Sequence, residues 1–171
     1  LAIPTNHSEN FRKFLALHKE TLEHFEMPKI DDETSKLLNK FKKLSSLGMN
    51  EISPNFTKTD NIKTIVTTQS VPERWPKQFP FVQTLKCSEN YDNLKEFQYL
   101  ETLKIKNNCS KDTSLFPQTV KNLTIYTGYW SPNDHPFPFE ENQIEKLTLI
   151  EEANPKWLSE YLDKPKTRLK L

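Results

Sequence analysis

Glycine is nearly missing from this chain: Gly48 and Gly128 are the two in 171 residues. A glycine-rich loop that cradles phosphates is therefore excluded. Cysteine is as scarce, with Cys87 and Cys109, and no cysteine cluster of the kind that caps disulfide-bonded secreted repeats is present. A reducing compartment, cytoplasmic or nuclear, is the expectation. The formal net charge is +1, so no global field recruits DNA or RNA. No apolar run approaches the length of a membrane span, and no signal peptide is visible, so no membrane partner is expected. His7, His18, His24 and His135 have no metal-ligand spacing among themselves or with the cysteines. HExxH, paired CxxC, GxSxG and P-loop motifs are all missing. Asp31-Asp32 and Glu140-Glu141 are adjacent carboxylates that suit a helix cap and a solvated loop better than acid–base chemistry. No metal, no cofactor and no catalytic residue is expected.

What the chain does contain is a pattern. LETLKI, Leu100 to Ile105, carries apolar residues at its first, fourth and sixth positions. The pattern returns as LEHFEM, LSSLGM, IKTIVT, VQTLKC, VKNLTI, IEKLTL and a weaker KTRLKL, with frames starting at 22, 44, 62, 82, 120, 144 and 166. Alternate side chains of a strand share a face, so the fourth and sixth residues point inward together and the first covers the core at the strand's entry. One such unit cannot bury its own apolar face; stacked copies form a parallel sheet over a continuous core. A period near 20 with this core is the signature of a leucine-rich repeat. The expected fold is α/β: a leucine-rich-repeat solenoid, or horseshoe, of seven to eight irregular repeats. One parallel sheet would line the concave face, with short helices and loops on the convex side. Residues 1–171 would form a single such domain, and the pattern's abrupt start and end suggest a portion of a longer protein.

Between the frames the chain changes character. Ser8 and Glu9 suit the start of a helix with Phe11, Phe14, Leu15 and His18 on one face. Asp31 or Asp32 caps a second helix carrying Leu37, Leu38 and Phe41. Val71 to Phe81 holds Pro72, Pro76 and Pro80, which excludes a regular helix, and leaves Trp75, Phe79 and Phe81 to pack the convex side. Tyr91, Leu94, Phe97 and Gln98 suit a short helix, and Leu115-Phe116-Pro117 a turn. The loop Tyr126 to Asn142 is aromatic and proline-rich, and Asn154-Pro155 opens a last helix through Leu162.

The third, fifth and seventh residues of each frame face away from the core. From the fourth frame onward they gather positive charge: Lys86, Lys104, Lys106, Lys146, Arg168 and Lys170. With Thr102, Thr124 and Tyr126 they form a candidate stripe for an acidic or phosphorylated protein partner. The alternative is a solvated face whose charges keep the sheet soluble. Tyr129, Trp130 and Phe137 are candidate partner anchors in the aromatic loop, or else fill the core of a repeat without a helix. His135 beside Asp134 is a conceivable catalytic dyad with no nucleophile near it in sequence.

The unit FRKFLALHKETLEHFEM, Phe11 to Met27, resembles the repeats of F-box leucine-rich-repeat proteins, in which a helix with a Phe-Leu pair leads through a Leu-Glu turn into the strand. NQIEKLTLIEEANPKWLSEYL, Asn142 to Leu162, is similar in form. The resemblance implies a non-catalytic target-recognition part of an F-box-type ubiquitin ligase adaptor, working in the Ubl conjugation pathway with cullin–RING components when an F-box lies upstream. Four sequons, at Asn6, Asn55, Asn108 and Asn122, keep open a secreted or cell-surface recognition protein instead.

Overall fold

The computed structural model describes residues 9–57, 59–88, 93–106, 117–126 and 144–150. The Ser8 cap, Tyr91, Leu115-Phe116, the Tyr129–Trp130–Phe137 loop, His135, Cys109, the sequons at Asn6 and Asn108, the Asn154–Leu162 helix and the eighth frame with Arg168 and Lys170 lie outside the described residues.

The fold is α/β. Seven short strands form one sheet, and all are parallel: β1 (His24–Glu26), β3 (Ser46–Gly48), β5 (Thr64–Val66), β6 (Thr84–Cys87), β7 (Thr102–Lys106), β8 (Asn122–Tyr126) and β9 (Lys146–Ile150). They lie side by side in chain order. Parallel neighbours need a crossover of a dozen or more residues, which the spacing of the frames supplies. The crossovers carry α1 (Glu9–Leu17) ahead of β1, α2 (Asp32–Leu38), the single helical turn α3 (Trp75–Gln78) and a 3-10 turn at Leu94–Glu96.

Register follows the frames. Phe25, Leu47, Ile65, Leu85, Leu103, Leu123 and Leu147 are paired from strand to strand across the sheet, and all are buried. A one-residue slip would turn this whole row to solvent, so burial fixes the pairing. The ladder begins before the strands proper: Gln83, Glu101, Lys121 and Glu145 each donate a backbone N–H to the carbonyl of the equivalent residue one strand earlier. Leu44, Ile62, Val82, Leu100 and Val120 close the core at the strand entries, while Leu22 and Ile144 pack against its ends half-buried. Thr67, the polar member of the sixth-position row, is buried because its hydroxyl donates to Asn50 Oδ1 at 3.1 Å. Cys87 lies in the same row, buried as a small core residue.

Asp31, not Asp32, caps α2, its Oδ1 accepting from the Thr34 N–H at 2.8 Å. Asp32 accepts instead from the Ser53 hydroxyl. That bond stands beside a feature the frames did not announce: β2 (Lys29–Ile30) and β4 (Glu51–Ile52) form a second, two-stranded parallel ladder just beyond β1 and β3.

Two expectations are corrected. The proline-rich segment does make one helical turn, because Pro76 stands at its start, where a missing N–H leaves no bond unmade. Trp75 and Phe79 are buried in an edge-to-face pair at 6.1 Å, but Phe81 is 37% exposed and lies outside the core. On α1, of the four residues expected on one face, Leu15 is fully buried, while Phe14 is 55% exposed and rests on the His18 ring 4.6 Å away.

Candidate functional site

Strands β6 to β9 bring the predicted stripe together. The fifth-position row runs Lys86, Lys104, Thr124, Thr148 in direct register, and the third-position row runs Thr84, Thr102, Asn122, Lys146. Lys106, Tyr126 and Ile150 pair along the seventh. Neighbouring backbones in such a sheet stand about 4.8 Å apart, so residues 18 to 24 apart in sequence become side-by-side neighbours. Arg168, Tyr129, Trp130 and Phe137 lie outside the described residues.

The described lysines divide into paired and unpaired ones, and those of this face are unpaired. Among the described residues Lys13, Lys29, Lys36, Lys42 and Lys121 each have a carboxylate within ion-pair distance. Lys86, Lys104 and Lys146 have none among the described residues. The Lys86 ammonium stands 5.9 Å from the centre of the Tyr126 ring, a contact that reaches across β7. Ile150, next to Tyr126 in register, is 41% exposed and adds an apolar edge. The stripe is thus a row of cations and hydroxyls with an aromatic and an aliphatic side chain at one end. Such a surface can hold an acidic extended segment by charge and anchor it by one apolar side chain.

Sequence reasoning missed two other clusters. At the opposite end of the sheet, His24 Nδ1 lies 2.7 Å from Ser46 Oγ, and His24 Nε2 lies 3.8 Å from Glu26 Oε2. The order Ser–His–Glu resembles a nucleophile relay, but His24 and Glu26 are open to water, where the ionic partner is screened and little activates the hydroxyl. Its signal was legible: His24 and Ser46 share the third-position row on adjacent strands. The second cluster is Phe81 and Tyr99, whose rings lie 5.6 Å apart, with the Lys63 ammonium 5.1 Å from the Phe81 ring. Each aromatic stands just before the first residue of its frame, so the same spacing that stacks the strands stacks these rings.

Among the described residues no group of three or more His, Cys, Asp or Glu is placed to hold a metal ion, and no helix is long and apolar enough to cross a membrane. No known protein family, no curated protein and no solved structure matches the chain.

Proposed function

We propose that the chain is a leucine-rich-repeat solenoid whose parallel sheet lines a concave face, and that this face binds an acidic protein segment rather than catalysing a reaction. The observation that supports this most directly is the gathering of Lys86, Lys104 and Lys146 on one sheet face, Lys86 and Lys104 in direct register, with no carboxylate partner among the described residues. Tyr126 and Ile150 supply the apolar contact beside them. The role that fits the resemblance of Phe11 to Met27 is target recognition in an F-box-type ubiquitin ligase adaptor, in the cytoplasm or nucleus. Purification of the full-length parent from its own cells tests this: a cullin scaffold and its linker should come with it. Their absence would retire the adaptor role and leave the binding face to be judged by its own chemistry.

One observation favours a second reading, an exported recognition protein. The sequon Asn55-Phe56-Thr57 sits in an exposed turn after β4, with the Asn55 N–H donated to Ser53 Oγ at 3.0 Å and its side-chain amide outside every hydrogen bond among the described residues. The Asn122 sequon lies within a central strand, its amide directed at Thr102 Oγ1 at 3.4 Å. Glycan mass at Asn55 in the native protein, measured by mass spectrometry of its peptides, would favour export over the ligase role.

A further inference from the structure

We infer that Lys86 and Lys104, with the hydroxyls of Thr84, Thr102 and Thr124 around them, form a seat for a phosphate monoester carried on the bound protein segment. This rests on the reading of the sheet face as a segment-binding surface and specifies what that surface selects.

Lys86 and Lys104 stand directly opposite each other on β6 and β7. Like charges in that position destabilise a sheet. The rest of the fifth-position row avoids the problem with Glu26, Gly48, Val66, Thr124 and Thr148. The register thus sets two cations side by side on an exposed face, where an anion held by both would offset their repulsion. The Tyr126 ring holds the Lys86 ammonium in place by reaching back over β7, the strand that carries Lys104.

The donors around the pair decide which anion. Thr102 Oγ1 accepts from Asn122 Nδ2, which leaves its own proton for another acceptor. Thr84 and Thr124 hydroxyls enter no hydrogen bond among the described residues. Two ammoniums and three hydroxyls call for a ligand that only accepts and that carries close to two negative charges. A phosphate monoester has three acceptor oxygens and about −1.5 to −2 charge at neutral pH. A carboxylate or a phosphodiester carries one charge and leaves one lysine uncompensated.

The test uses the whole 171-residue chain and fluorescence anisotropy with short labelled peptides of one acidic background whose central residue is serine, phosphoserine or glutamate. The phosphoserine peptide should bind about tenfold more tightly than the glutamate peptide, the difference in strength expected for a doubly charged, hydrogen-bonded partner. Lys104→Met should erase that preference while leaving the unfolding midpoint in urea unchanged or higher, since it removes the like-charge contact. Lys121→Met, which removes a lysine already paired with Glu145, should leave the preference intact. Equal affinity for the glutamate and phosphoserine peptides would overturn the seat while leaving the acidic-segment reading standing. No binding of any peptide would overturn both. Tighter binding of oligo(U) RNA or of phosphoinositide-containing vesicles than of the phosphoserine peptide would overturn the seat in favour of a different macromolecule.

Discussion

From α1 to β5 four lysines have a carboxylate partner, Lys13 with Glu9, Lys29 with Glu51, Lys36 with Glu33 and Lys42 with Glu20, while Lys19, Lys40, Lys43 and Lys63 have none among the described residues. From β6 to β9 the core row is built of the same aliphatic side chains, yet the outward lysines of the sheet face have no such partners among the described residues. Among the described residues the ion pair there is Lys121 with Glu145, at the strand entries and not on that face. Exposed ion pairs contribute little to stability, so the difference is not about holding the sheet together. It separates an end of the sheet face whose outward rows carry no lysine, closed to an outside anion, from an end with Lys86, Lys104 and Lys146 that is open to one.

The comparison breaks most visibly if the two ends do not share one core. Leu47→Ala and Leu103→Ala each remove a fully buried side chain from the same row, and each should cost about 2–5 kcal/mol in urea unfolding followed by circular dichroism. Two separate transitions in either variant would mean that the halves unfold independently. The next largest effect should fall on binding. Lys104→Glu should weaken an acidic peptide by about tenfold or more and flatten its salt dependence, whereas Lys42→Glu at the closed end should not; unchanged affinity would make the open lysines a solvated surface. Asp31→Ala removes the cap of α2 and should cost about 1 kcal/mol, with no effect on peptide affinity.

Smaller effects sharpen the picture of the closed end. A Cβ on Gly48 would stand 2.6 Å from Glu26 Cγ and 3.0 Å from Glu26 Cβ, which is fixed to the backbone of the adjacent strand. Gly48→Ala should therefore be destabilising by about 1 kcal/mol in urea unfolding, because the β1–β3 pairing must shift to admit the methyl group; an unchanged or raised midpoint would show that Glu26 alone gives way. The smallest effect is acid sensitivity. The hydrogen bond from Lys36, aided by its charge, holds the Glu33 carboxyl below its ordinary value of 4.5. A carboxyl lowered by folding stabilises the protein above its unfolded value and loses that contribution as pH falls through the folded one. Lys36→Met should slightly reduce the loss of stability on acidification below about pH 4.5, read from melting temperatures across that range.

Much of the molecule was legible beforehand for one reason: a parallel strand must hide alternate residues, and that requirement writes itself into spacing. Leu85, Leu103 and Leu123 announce both the strands and their register, and with the register come the outward rows that put Lys86 beside Lys104. The misses fall where spacing says nothing. The β2–β4 ladder is two residues long on each side and carries no periodic signal. Phe81 was assigned to the convex-side packing from its chemistry, yet it stacks near the Tyr99 ring at the surface. The turn at Trp75 was hidden by Pro76, whose meaning depends on whether it starts a helix or interrupts one.

The sequence by itself determined the strand rows, the buried and outward positions, and the excess of lysine on the later frames, because side-chain alternation along a strand is local. Tertiary structure alone decided which charges meet. Whether a lysine finds a carboxylate depends on the reach of both side chains across neighbouring strands. That is how Lys29 came to lie 2.9 Å from Glu51 while Lys86 came to rest over the Tyr126 ring, two strands away.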